Sequence, residues 1–453
     1  MRISWAGDLH FSIFHWAALQ HKPGIPLCEA CMLNVSYAAR KNQNRHDVLA
    51  AVALLFFAFS PLLVLTGCGG DGQSPAADPV AGLSGPVNAG DYPSINAAVA
   101  NAASANITIT VSSPQTLTAD LVVPSNISLV IENGGSIINT SNYKLTINGP
   151  FSAGLYQVFS GFRAGDITFG EGNVQEVYAE WWGARGDGVA DDSGAINSAV
   201  AALPAYGGEI SLAAGNYLIA NTVRINKKVF FHGDGGYTSG GNAATTITKA
   251  SALNGPGISV AADACVLERF WLTGESGNGG DGIVVAGADA GRVVLRDLAV
   301  ANQGRDGIRI GQDAPGGNQN GWRIDTVISV ANGRNGVTID DDNSSYLNPA
   351  NANSGTSINL QAISNRQDGL YINMGGANSF MGTLAERNRR YGVHLGPAAH
   401  WEAFFGGDMN EGNTAADFII DASYPGQGGN MIFGSDTGKF IDNGADTVVQ
   451  AAP

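Results

Sequence analysis

Five tetrapeptides decide how this chain folds: Gly282-Ile283-Val284-Val285, Gly307-Ile308-Arg309-Ile310, Gly336-Val337-Thr338-Ile339, Gly369-Leu370-Tyr371-Ile372 and Gly392-Val393-His394-Leu395. Asp417-Phe418-Ile419-Ile420 is a degenerate sixth. Successive members lie 25, 29, 33, 23 and 25 residues apart. Asn332, Asn365, Asn388 and Asn413 each stand four residues before the Gly-equivalent position, and Asn302 stands five before. Periods near 25, with short β runs and Gly/Asn turns, mean a solenoid in which every coil adds one strand to each face. Neighbouring coils then stack at about 4.8 Å. Asn at equivalent turns is expected to form side-chain ladders, and Gly to supply positive φ at the corners. The expected class is all-β: a right-handed parallel β-helix with short N-terminal capping helices.

Composition agrees. Gly contributes 62 of 453 residues, and charged residues make up only 14%, against a usual ~25%. Disordered chains are less apolar than this one, which is 44% hydrophobic, and collagen needs Gly at every third place. The net charge is −15, with no basic cluster beyond Arg387, Arg389 and Arg390, so nucleic acid is excluded as a partner.

A longer repeat precedes the short one. Ser94–Ala100 answers Ala195–Ala201 at an offset of 101, which continues at Leu117/Leu218 and Val122/Val223. Each copy reads as an Ala-rich helix followed by alternating β segments, with Asp191 and Asp192 as N-caps of the second helix. The organisation expected is an export segment over 1–67, a flexible tether over 68–90, a leader over 91–178, the β-helix over 179–435 and a strand or tail over 436–453.

The export segment has an apolar core at 48–65 behind Arg40, Lys41 and Arg45, with Met32 as an alternative start. It ends in Leu65-Thr66-Gly67-Cys68, a lipobox that marks Cys68 for lipidation. Eighteen apolar residues nearly suffice to span a bilayer. Pro61, the lipobox and the Gly/Ser-rich tail nevertheless favour a lipoprotein signal peptide. The expected location is the cell envelope, lipid-anchored at the outer membrane or cell surface, with the membrane itself as a partner. Removing residues 1–67, which hold five Lys/Arg and three Asp/Glu, leaves 19 against 36 and a net charge of −17. Three histidines remain: His232, His394 and His400.

Trp182-Gly183-Ala184-Arg185-Gly186-Asp187-Gly188-Val189-Ala190-Asp191-Asp192, leading into the Ile196–Leu203 helix and then Gly207-Gly208-Glu209-Ile210-Ser211-Leu212, closely resembles the opening of the pectate-lyase superfamily. The resemblance is to its rhamnogalacturonase/epimerase-like, pectin-lyase-fold members, a group that includes phage tailspikes. It implies a polysaccharide partner and a glycoside hydrolase or polysaccharide lyase activity, with Ca²⁺ as a cofactor only for a lyase. It raises a trimer as an assembly, although the lipobox points away from a phage particle. Physically the motif is expected to cap the exposed end of the solenoid, with the Gly-Asp-Gly turn holding the helix.

The family's catalytic motifs are missing. There is no Gly-His-Gly, no Arg-x-Pro-x-x-Arg and no Asp-Pro-His-Glu, and His232 in Phe231-His232-Gly233-Asp234 reads as a turn residue. Candidates come instead from geometry. The middle residue of each tetrapeptide points outward, stacking Val284, Arg309, Thr338, Tyr371 and His394 into one stripe. Asp340, Asp341 and Asp342 follow it, and three adjacent carboxylates suit acid/base work or Ca²⁺. Asp340, Asp341, Asp342 and His394 are therefore the catalytic candidates, and Arg309, Tyr371, Trp401 and Tyr346 the substrate-binding ones. No resident metal is assigned. A non-catalytic, adhesin-like surface β-helix remains the alternative.

Overall fold

The computed structural model describes residues 85–102, 105–236, 243–275, 277–311, 317–339 and 352–450. It also describes the pairing of Ser4–Trp5 with Leu9–His10. The chain divides into Met1–Ala77 and Asp78–Pro453. Apart from Ser4, Trp5, Leu9 and His10, the export segment lies outside the described residues, as do Cys68, Asp340, Asp341, Asp342 and Tyr346. Among the described residues no helix is long and apolar enough to cross a membrane.

The second unit is a parallel β-helix in two sections. The first has three narrow sheets. Ile107–Val111, Ile127–Ile131 and Phe151–Ala153 stack in one, Pro114–Thr116, Ser136–Ile138 and Phe159–Ser160 in another, and Leu121–Val123, Leu145–Ile147 and Ile167–Phe169 in the third. The second section has a wide face of 17 strands and a narrow face of nine. Alternation drives both: in Ile107–Val111 the residues Ile107, Ile109 and Val111 are buried and those between are not.

The leader is thus itself a β-helix, and this corrects the expected role of the second helix only. Helix α1, Ile95–Ala102, packs Ile95, Ala98, Val99 and Ala102 inward at the start of the first section. Helix α2, Ser193–Ala202, contacts Ile167–Phe169 of the first section and Val223–Ile225 of the second. It joins the two stacks and does not seal an end. Asp191 caps it, accepting from the Ser193 amide at 3.0 Å, whereas Asp192 accepts from the Arg185 and Gly186 amides and holds the preceding loop.

The long repeat also contains a one-residue slip. Ile109 and Ile210 are both buried at offset 101, but the buried partner of Leu117 is Ile219, and Leu121 and Val123 correspond to Val223 and Ile225. Val122 points outward at 58% exposure, so its match to Val223 crosses faces.

The corners hold two ladders. Asn332 donates to Asn365 Oδ1 at 2.9 Å, Asn365 to Asn388 at 3.0 Å and Asn388 to Asn413 at 3.0 Å. The next position up the ladder is Gln303, whose backbone N–H donates to Asn332 Oδ1; Asn302 is not part of it. Positive φ falls on the residue before each ladder amide, namely Asn302, Ala331, Ser364, Arg387 and Gly412. The tetrapeptide glycines serve close approach instead: a Cβ on Gly369 would lie 2.6 Å from the Gly392 carbonyl and 2.7 Å from Asn388 Nδ2. One coil corner carries an Asx ladder as well. Asp281, Asp306, Asn335 and Asp368 accept in turn from the amides of Asp306, Asn335, Asp368 and Tyr391.

Candidate functional site

The stripe exists in register. Val284 pairs with Arg309, Arg309 with Thr338, Thr338 with Tyr371 and Tyr371 with His394 along the narrow face. Its residues point away from the coil interior, since Ile308 and Ile310, Val337 and Ile339, and Val393 and Leu395 fill the core on either side. Yet Val284, Arg309, Thr338 and His394 are buried, which corrects the expectation of an open face. Arg309 is occupied by Asp281 at 3.1 Å, and Thr338 accepts from Asn335 at 3.0 Å.

Only the end of the stripe gathers chemistry near solvent. His394 Nδ1 lies 3.0 Å from Asp368 Oδ2, and Nε2 lies 3.0 Å from Asp421 Oδ2. The Tyr371 ring lies over the imidazole at 4.7 Å and the Tyr391 ring meets it edge-on at 5.0 Å. Tyr371 donates its hydroxyl to Asn373 at 2.9 Å. Arg390 grips Asp368 through two nitrogens, Nε at 2.6 Å. Burial pushes the Asp368 carboxyl up, but the hydrogen bonds from Arg390 and His394 outweigh it and hold it below the usual carboxylate range. Asp421 is the open member, its side chain 37% exposed.

Trp401 stands apart from this cluster. It occupies a left-handed corner with φ 55°, in the column that holds Ala377 one coil earlier and Gly429 one coil later, and its ring is thrown outward to 60% exposure. Its edge contact is with His400 at 5.1 Å.

His232 is not a turn residue. It lies within the strand Val229–Gly233, buried, and Nε2 faces Glu209 at 2.9 Å and Glu176 at 3.2 Å. Its Nδ1 faces Arg269 Nη2 at 3.0 Å. The sequence signal was there in part: Phe230-Phe231-His232 continues a β run, and His232 alternates with the buried Phe231. What sequence could not show is that strands from three coils bring Glu176, Glu209 and His232 together.

The loop from Gly277 to Gly282 is held from inside by a lysine. Buried Lys249 donates to the carbonyls of Gly279 and Asp281, the latter at 3.2 Å, and burial pulls its ammonium down to about 8.

Residues 179–266 match the family described as rhamnogalacturonase A/epimerase, pectate lyase-like. Stacked parallel strands continue on both sides of that span. The fold is a pectate-lyase-like β-helix. The match contains Glu209 and His232 but ends well before His394. Among solved structures this β-helix is similar to ORF18 of Geobacillus virus E2, at 17% identity over 61% of this chain and 60% of that one, with a TM-score of 0.41. It is also similar to the enzymatically active domain of tailspike protein 2 from bacteriophage CBA120, at 14% identity over 62% and 43%, with a TM-score of 0.46. A third is the A-module of the mannuronan C-5 epimerase AlgE6 from Azotobacter vinelandii, at 16% identity over 61% and 99%, with a TM-score of 0.35. The chain thus spans 60% of the virus protein and less than half of the tailspike. No curated protein matches the sequence.

Proposed function

We propose that this β-helix binds and processes an extracellular polysaccharide, with His394 as its acid–base group. The observation that carries the reading is the line Asp368–His394–Asp421, with one carboxylate on each ring nitrogen. Asp368, held ionised by Arg390, fixes the proton on Nδ1, as a carboxylate orients an imidazole in other acid–base centres. A proton can then move at Nε2, where Asp421 reaches solvent. Tyr371 and Tyr391 give flat apolar surface on which a sugar ring can stack, and the half-exposed Arg390 supplies positive charge for an acidic sugar. The family's description supports a carbohydrate polymer as the substrate class. Removal and return of a ring proton, giving epimerisation or elimination, suits one imidazole better than hydrolysis does. Hydrolysis needs two carboxyl groups, one of which can be protonated, and Asp368 is held as the anion.

Asp340, Asp341 and Asp342 stay in the proposal as candidate acid–base groups, and Tyr346 and Trp401 as candidate sugar-stacking rings. Lipidation at Cys68 would hold the β-helix at the cell envelope. The test of the chemistry uses a panel of uronic-acid polysaccharides in D₂O. Solvent deuterium entering the sugar ring supports epimerisation, and unsaturated ends support elimination. New reducing ends without either, or no product at all, would sink the proton-transfer reading. Radiolabelled palmitate incorporated by the native chain but not by Cys68→Ala tests the anchor.

A further inference from the structure

A second centre lies on the wide face, independent of the His394 reading. The geometry points to a binding site for a divalent transition-metal ion of the Zn²⁺ class, held by Glu176, Glu209 and His232. Val177 pairs with Ile210, so Glu176 and Glu209 stand side by side on adjacent coils, and Ser211 pairs with His232 one coil further on. Two like charges in register on neighbouring strands are unfavourable unless a cation sits between them. Among the described residues, both carboxylates form ion pairs with His232 alone. One imidazole carries at most one positive charge and so cannot neutralise two carboxylates.

The donor atoms are already placed for coordination. One oxygen from each carboxylate and Nε2 all lie within 4.8 Å of one another, with His232 Nε2 at 2.9 and 3.2 Å from the oxygens. Ligands at the ~2.0–2.2 Å bond lengths of zinc sit roughly 3.3–3.6 Å apart in a tetrahedral site, so the two Nε2–oxygen separations need open by only a few tenths of an ångström. Glu176 has a supporting partner, because Tyr178 donates its hydroxyl to Oε2 at 2.5 Å and turns Oε1 toward the histidine. Glu209 is 37% exposed and opens the site to solvent. One imidazole with two carboxylates selects a borderline ion over Ca²⁺, which prefers six or more oxygens.

Arg269 sets the condition for binding. A guanidinium only donates, so the Arg269 contact makes Nδ1 an acceptor and leaves the ring proton on Nε2, pointing at the carboxylates. A metal needs the Nε2 lone pair. On binding, the proton therefore moves to Nδ1, where the Gly233 carbonyl lies 3.4 Å away, and Arg269 turns to Glu268, which it already contacts at 3.1 Å.

The test titrates the full chain, stripped by chelator, with Zn²⁺ and separately with Ca²⁺. The native chain should bind one Zn²⁺ more than His232→Ala does, and Glu209→Gln should lose the same equivalent while keeping the native circular dichroism. Tyr178→Phe should weaken binding about 10-fold, and Arg269→Met should tighten it, a response that a purely structural cluster would not give. Co²⁺ in place of Zn²⁺ should give a visible absorption band in the native chain that His232→Ala lacks. Equal Zn²⁺ stoichiometry in the native chain and His232→Ala, or Ca²⁺ bound as tightly as Zn²⁺, would overturn the assignment.

Discussion

Two buried histidines project outward from this solenoid, and they are wired in opposite ways. His394, on the narrow face, has a carboxylate at 3.0 Å from each ring nitrogen, with the Arg390 guanidinium farther from Nδ1 at 3.5 Å. His232, on the wide face, has two carboxylates at Nε2 and a guanidinium at Nδ1. They lie five coils apart, or about 24 Å along the axis at the ordinary strand spacing. The first arrangement lets a proton leave from the nitrogen nearer solvent while the other stays fixed. The second concentrates negative charge at one point and holds the ring in a single tautomer. Backbone geometry is nearly the same in both, so the neighbours decide the chemistry.

Replacing the central group gives the sharpest test of that contrast. His394→Ala should lower polysaccharide processing by about 10²–10⁴-fold, the usual worth of an acid–base group, with the β-sheet circular dichroism unchanged. Full activity in this variant would break the comparison at its centre.

Asp368→Asn should cost about 3 kcal/mol in urea unfolding, at the low end for a buried pair because Arg390 reaches solvent. The pH dependence has a definite sign. A carboxyl held below the usual carboxylate range stabilises the fold fully above that range, and the stabilisation is lost as pH falls through the lower folded value. Native chain and variant should therefore converge in strong acid and separate as pH rises.

Glu402 supplies the opposite case of a fully buried carboxyl. It accepts from Asn378 at 3.1 Å but has no charged partner among the described residues, and burial raises it well above 4.5. A raised carboxyl loses stabilisation as pH climbs from the unfolded value toward the folded one. Glu402→Gln should therefore gain about 1–3 kcal/mol at neutral pH and little below pH 4.5, as read from melting temperatures across pH.

The smallest effect belongs to Arg269. It is half-exposed, so Arg269→Met should change metal-free stability by no more than about 0.5 kcal/mol. A much larger loss would mean that the guanidinium holds the wide face together and is not a replaceable partner of His232.

Much of the fold was legible because a solenoid writes its period into the chain. The spacing of the Gly-apolar-x-apolar units located the strands of the narrow face, and the Asn positions located a real amide ladder. The errors were errors of register and neighbourhood. Asn302 was expected in the ladder where Gln303 stands, because a positive-φ residue and a ladder amide are adjacent and both favour Asn. The identity of Leu117 with Leu218 hid a one-residue slip that burial reveals. Tyr371 and His394 were found because they share a repeat position. Asp368 and Asp421 were missed because one precedes a tetrapeptide and the other follows a degenerate one.

By itself the sequence determined the β-helix, the stacking order of the stripe and the identity of the groups that could titrate. These follow from local periodicity, since each coil repeats the same apolar alternation. Tertiary structure alone decided which residues of the stripe are buried, that α2 joins two stacks, and which carboxylates face which ring nitrogen. Those depend on contacts between residues 22 to 56 positions apart, as in Arg390 with Asp368 and His232 with Glu176. Coils of unequal length shift such partners without changing the pattern along the chain.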